Sequence, residues 1–484
     1  MDSVAECVRK DRDFVITQES TSPLRACDAR LSCSAPADPE SHPPLEATIR
    51  RLYFNTIALA PMVRAGTLPL RALALSYGCD VVYSEEIIDR KLMQCVREEN
   101  RALGTIDFVT TGNRKGDSGK ESRRLVFQTV PQEKPRVVFQ LGTRNPEWAV
   151  EAARLVQHDV AAIDLNMGCP KKFSIQDGMG AALLDNPATA ASLVKALRQA
   201  LPHKPVSCKI RLLDASLPMT KTLAFARAME EAGACALNVH LRTKQDKASD
   251  PARWELLRPL VAALAIPVIA NGDVYRQEDV EQLLAASHCA GVMLARPVLY
   301  NPSLLRTLRF VSPSCGRPVP GDKSSEDAIS STGSSPPLPL LPLMDVIRTY
   351  LHLCSCYESH VSNVKYVVLE MIVRRRHPEY VRRHLAPLEL PENINVASVS
   401  KAKTLQALGT LFGIEAGASS GLEGVHLCLD SYFDAEQLEG TKSMVKGRDG
   451  EPRANASEEL GEGKRRKIRD VQFLRADCEI PGMQ

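Results

Sequence analysis

A chain of 484 residues, 44% hydrophobic and 25% charged, has the make-up of an ordinary folded protein, long enough for one large domain and a smaller one. No apolar run is long enough to cross a bilayer, and a net charge of +3 is too small to mark a polyanion binder without local clusters. The fourteen cysteines are scattered and no secretory core opens the chain, which argues against a disulfide-stapled secreted scaffold and for reduced thiols in a cytoplasmic or nuclear compartment.

Residues 1–50, with Pro36, Pro39 and Pro43 among serines and acids, show no apolar period and read as a disordered extension, too acidic for a mitochondrial presequence. Folded sequence is expected from near Phe54. From there, short β-branched or apolar runs at 57–61, 81–84, 136–140, 162–166, 206–210, 236–240, 268–270 and 291–294 read as strands. Helical spacing of Ala and Leu at 147–157, 187–201, 220–233 and 277–286 separates several of them. This alternation predicts an α/β fold, a (β/α)8 TIM barrel over 54–310, close to the ~250 residues such a barrel needs. Residues 311–342, ending in GSSPPLPLLP, read as a linker or insertion. Helical spacing in 344–371 and 399–412 predicts a small helical domain over 343–414, and 415–484 reads as a mostly disordered tail with a basic cluster at 464–467.

Barrel chemistry sits at the C-terminal ends of the strands. The residues expected there are Ala60, Pro61 and Met62; Gln140; Asn166 ahead of Met167-Gly168-Cys169-Pro170; Lys209 and Arg211; His240 and Arg242; Asn271, Gly272 and Asp273; and Ala295 and Arg296. Such a ring suits a flat, anionic, hydrogen-bonding cofactor. Lys209 can face a reduced flavin edge, Gln140 a pyrimidine-like edge, and the backbone near Gly272 and Arg296 a phosphate, so FMN fits better than a dinucleotide, for which no G-x-G-x-x-G is present. The run VRRRHPEYVRRH offers Arg374, Arg375, Arg376, Arg382 and Arg383 to an RNA backbone; the alternative is a solvated helix end. Cys354 and Cys356, near His352 and His360, lack a second ligand pair, so no metal is expected.

The segments LAPMVRAGTLPLR, VYSEEIID, VVFQLGT, IDLNMGCPKKFSIQDGMGAALL, CKIR, NVHLRT and PVIANGDV resemble those of the tRNA-dihydrouridine synthases, and GMGAALL and YSEEIID resemble the eukaryotic type 2 members. The resemblance spans roughly residues 54–310, with weaker support from Asn363-Val364-Lys365-Tyr366. It implies an FMN barrel, NADPH as reductant, and a D-loop uridine of tRNA, uridine 20 in type 2 members, as substrate. It also implies that Cys169 is the acid that protonates uracil C5 across from a hydride delivered to C6. Asn166 can meet the uracil edge, Lys171 can contact flavin, substrate or RNA, His240 the flavin phosphate or ring, and Arg242 joins the substrate set, with Leu241 where many members have glycine. The expected partner is tRNA, with no membrane contact and a monomeric chain. Two other readings stay open on the residues alone: a flavin barrel acting on a free pyrimidine, and a noncatalytic RNA-binding protein on the same scaffold.

Overall fold

The computed structural model describes residues 44–113, 121–310, 338–373 and 390–414. The first helix, α1 (Leu45–Tyr53), begins ahead of the boundary expected near Phe54, because Thr48, Leu52 and Tyr53 turn one face inward and are buried. Then come β1 (Thr56–Leu59), α2 (Leu68–Ser76), β2 (Val81–Tyr83), β3 (Ile87–Ile88) and a single turn, α3 (Asp89–Leu92). Three strands follow, β4 (Val96–Asn100), β5 (Thr105–Asn113) and β6 (Glu121–Thr129). The chain then alternates between strands and helices through β7 (Val137–Gly142), α4 (Pro146–Val156), β8 (Ala162–Met167), the helix pair α5 (Lys172–Gln176) and α6 (Pro187–Ala200), β9 (Val206–Leu212) and α7 (Thr220–Glu231). It continues with β10 (Ala236–Thr243), α8 (Leu257–Ala263), β11 (Val268–Asn271), α9 (Gln277–Ser287), β12 (Gly291–Leu294) and α10 (Arg296–Tyr300).

Eight of these strands pair in parallel in the order β2-β1-β12-β11-β10-β9-β8-β7, and a further β2–β7 pairing closes the ring into the expected barrel. The local signals are plain. Proline opens α4 and α6, and the Asn145 and Asn186 side chains accept hydrogen bonds from the first free amides of those helices. One crossover departs from the expected pattern: between β2 and β7 the outside of the barrel is covered by the antiparallel sheet β4-β5-β6 in place of a long helix. Phe108 and Phe127 of that sheet stack toward Phe139 of β7, with centroids 5.6 and 5.0 Å apart, so aromatic packing fills the space a helix would take.

Strand parity divides the core. Outward residues such as Ile163, Leu165, Cys208, Ile210, Val239 and Leu241 pack under the helices, whereas Ala58, Val81, Val138, Ala162, Ala236, Ile269 and Met293 cluster inside with Leu52 and Tyr53 of α1, which therefore stops one end of the barrel. Above this apolar floor the inward residues turn polar.

After the barrel, the helical spacing over 344–371 resolves into two helices, α11 (Leu343–Cys356) and α12 (Val361–Ile372). The break falls where Glu358 takes a left-handed φ of 48° and the His360 side chain accepts from Ser362 N to start α12. The spacing over 399–412 likewise falls in two short helices, α13 (Val396–Lys401) and α14 (Leu405–Leu411), the second capped by Thr404. α11 packs on α2, and Arg64, on the loop after β1, donates to Ser362 O at 3.1 Å and lies 4.9 Å over the Tyr366 ring. The helical elements thus touch the rim of the barrel mouth. Among the described residues no helix is long and apolar enough to cross a membrane, and no cluster of three metal-ligating side chains forms. Arg374, Arg375, Arg376, Arg382 and Arg383, and most of the terminal extensions, lie outside the described residues.

Candidate active site

Because side chains alternate along a strand, Ser207, Lys209 and Arg211 of β9 share one face, and register sets Lys209 beside Asn166 and Asn238, and His240 beside Arg211 and Asn271. Lys209 Nζ donates to Asn271 Oδ1 at 2.9 Å, and Asn271 is oriented by its own Nδ2, which donates to Met293 O at 2.8 Å. Burial first, and the nearby Arg211 charge second, pull the Lys209 ammonium down to about 8. Burial, then Lys209, Arg211, Arg242 and Arg296, hold His240 well below the ordinary imidazole range, so its ring is neutral at pH 7.

Beneath this layer lies Asp164, fully buried. It accepts from Gln140 Nε2 (2.8 Å), Ser207 Oγ (2.6 Å) and Asn238 Nδ2 (3.2 Å). Gln140 therefore commits one amide hydrogen to Asp164 and keeps its second N–H and its carbonyl oxygen for a ligand edge. Burial raises the Asp164 carboxyl to about 6, against three stabilising hydrogen bonds and the Lys209 charge. The folded chain thus keeps this proton across a window, roughly pH 4 to 6, in which the unfolded chain has released it, and stability must fall as pH rises through that window. Denaturant unfolding of wild type and Asp164→Asn from pH 4 to 7 checks this: the wild-type curve should lose on the order of 2–3 kcal/mol relative to the variant, and parallel curves would contradict it.

A cavity of about 370 Å³ opens between the ends of β10, β11 and β12, lined by Arg211, His240, Arg242, Gly272, Ala295 and Arg296 among others. Asp273 joins two of its arginines, accepting from Arg242 Nη2 at 2.5 Å and from Arg296 Nη2 at 3.1 Å. Arg242, expected on the substrate side, is instead 2% exposed and pinned by Asp273, Asp250 O and the neighbouring His240 ring. Leu241 is fully buried on the outer face, and β10 runs on past it to Thr243. Gly272 has φ 138°, and a Cβ there would lie 2.8 Å from Ala252 Cβ, so only glycine leaves this wall of the cavity open. Four cationic side chains, Arg211, Arg242, Lys247 and Arg296, around a glycine-walled hollow, against the carboxylates Asp246 and Asp273, fit a dianionic phosphate. On the neighbouring strand end of β1, Ala60 is buried and its N donates to Leu294 O at 2.8 Å, and Pro61 and Met62 are partly exposed.

The loop after β8 is held tightly. Asn166 Oδ1 accepts from Gly168 N (3.0 Å) and Cys169 N (3.1 Å), which fixes the turn; any uracil contact by this side chain falls to its Nδ2. Arg211 Nε donates to Gly168 O (2.8 Å) and Ala181 N to Cys169 O (3.0 Å). Gly180, at φ 56°, lets the following segment pass so close that a Cβ would lie 2.8 Å from Cys169 O and 2.3 Å from Ser174 Oγ. Cys169 is left half-exposed, and burial together with the Glu86 carboxylate pushes its thiol up to about 11. Lys171 is exposed at the start of α5. The eight cysteines among the described residues are all free thiols.

The dihydrouridine synthase (Dus) family model matches residues 80–332, more than half of the chain. The chain belongs to the dihydrouridine synthase family. Two relatives agree with the type 2 resemblance. A Schizosaccharomyces pombe protein named NAD(P)+-linked tRNA-dihydrouridine(20) synthase is 39% identical over 263 residues, 52% of this chain and 52% of that protein. The Saccharomyces cerevisiae protein of the same name is 34% identical over 331 residues, 66% of this chain and 78% of the relative. Within this family member, the residues that strand-end reasoning alone passed over are Asp164, Ser174 and Glu86. Asp164 was recoverable from strand parity, whereas Glu86 sits on the loop after β2 and reaches Cys169 only through the closure of the barrel.

Proposed function

We propose that this family member reduces a D-loop uridine of tRNA, uridine 20 by analogy with the names of its relatives, to 5,6-dihydrouridine, with FMN as its flavin and NADPH as reductant. The observation that carries this is the pairing of an anion-fitting, glycine-walled cavity with a half-exposed, protonated Cys169 on the adjoining strand-end loop. His240, Arg296 and the backbone at Gly272 would hold the FMN phosphate; Lys209, Gln140 and the Ala60-Pro61-Met62 rim would border its ring. When bound and reduced, the flavin supplies a hydride to uracil C6.

The protein's own groups supply the rest. Asn166 and Arg211 fix the loop so that Cys169 faces the mouth, and its thiol donates the proton that completes the C5–H bond. Asp273 keeps Arg242 and Arg296 side by side, so their charges meet an anion at no further reorganisation cost. A uridine inside folded tRNA reaches a barrel mouth only when extruded, which gives the basic run Arg374, Arg375, Arg376, Arg382 and Arg383 its role as a grip on the RNA backbone.

Purification decides among the readings. A yellow protein that consumes NADPH only with tRNA lacking dihydrouridine is the expected result. Turnover of free uracil or orotate would point to a small-molecule dehydrogenase, and a colourless RNA binder would overturn the enzyme reading.

A further inference from the structure

The mechanism above uses Cys169 as an acid and leaves its buried neighbour, Glu86, without a task. Glu86 is 8% exposed. Its Oε1 accepts from Ser174 Oγ at 3.2 Å, while Oε2 is fully buried with no hydrogen-bond partner of good geometry. An orphaned carboxylate oxygen is costly unless it has a use. The room for it is built in: a Cβ at Gly142 would lie 2.8 Å from Glu86 Oε1, so a side chain there would push the carboxylate aside. Ser174, its one donor of good geometry, lies against the Cys169 loop, since the same absent Gly180 Cβ would touch both Ser174 Oγ and Cys169 Cβ, at 2.3 and 3.2 Å. The thiol of Cys169 and the amide of Asn166 lie within electrostatic reach of the carboxylate.

We propose that Glu86 is a positioning residue for Cys169: its carboxylate takes up the S–H by rotation about the Cα–Cβ bond and keeps the sulfur in the acid form until a uracil is seated. This rests on the reading of Cys169 as the C5 proton donor. The need is chemical, because a thiolate is a nucleophile with no proton to give. Three cations work the other way. Lys171 acts on both groups, and Lys209 and Arg211 approach the sulfur from β9, so without Glu86 only burial would oppose their pull toward the thiolate. In turnover the S–H bond breaks as C5–H forms, completing the addition begun by hydride at C6. The thiolate left beside a carboxylate is unstable, and it regains its proton from water as the product leaves.

The test is the pH profile of alkylation of Cys169 by iodoacetamide in the flavin-loaded protein, read by mass spectrometry for wild type and Glu86→Gln. The variant should move the profile to lower pH and react roughly tenfold faster at pH 8, with the flavin spectrum unchanged. Superimposable profiles would overturn the proposal. Should the variant lose its flavin, the same comparison on flavin-free wild type and Glu86→Gln decides: a profile moved to lower pH in the variant upholds the role, and superimposable profiles refute it. Failure here leaves the function standing, whereas base reduction by Cys169→Ala at the wild-type rate would remove Cys169 as the proton donor, and a flavin-loaded protein that reduces no tRNA would remove the function reading, whatever the alkylation shows.

Discussion

Cys169→Ala is expected to bind flavin and oxidise NADPH as the wild type does, yet to form dihydrouridine about 10²- to 10⁴-fold more slowly, the range a positioned general acid contributes. The split follows from the architecture. The cationic cavity and Lys209 belong to β9 through β12, whereas Cys169 sits on the loop after β8 and makes its fixed contacts through backbone atoms that alanine retains. Single-turnover assays, with flavin reduction and tRNA reduction followed separately, check it. Loss of flavin would mean that the cysteine is structural, and unchanged base reduction would mean that another group protonates C5.

Arg71→Met is expected to destabilise the fold by about 3–5 kcal/mol, the cost of leaving a buried charge without its partner. Arg71 is 1% exposed and donates to Glu133 through Nε (3.0 Å) and Nη2 (2.6 Å), to Gln128 O (2.7 Å) and to Gly66 O (2.7 Å). One side chain of α2 thereby ties together the loop after β1, the last strand of the inserted sheet and the turn before β7. Chemical unfolding measures the loss. Adding Glu133→Gln should restore part of it, since the uncompensated carboxylate is then gone; a single variant within about 1 kcal/mol of wild type would show that the pair relaxes without cost.

The barrel strands were legible in the sequence because each is a short run of β-branched or small apolar residues between turn formers, and closure into a ring buries both faces. The inserted sheet was not legible. Val-Arg-Glu-Glu-Asn of β4 has exposed residues on both faces, so its strand character comes from pairing with β5, a tertiary effect. α1 was hidden for a related reason: three of its nine residues are buried, and their task of stopping the barrel appears only once the ring exists. At the site, parity along β9 and β10 makes Lys209 and His240 readable as inward residues. No sequence pattern joins Glu86 to Cys169, which are brought together from the loops after β2 and β8, the two strands that flank β7, and the turn-forming role of Asn166 was hidden because an Asx turn and a ligand contact use the same amide.

The stereochemistry of addition tests the central claim most directly. Reduction of tRNA in D2O with deuterated reductant places deuterium at both C5 and C6, and coupling constants of the released nucleoside give their relative configuration. Hydride delivered on one face and a proton from Cys169 on the other predict the trans product. A cis product would place both donors on one side of the base and contradict the account.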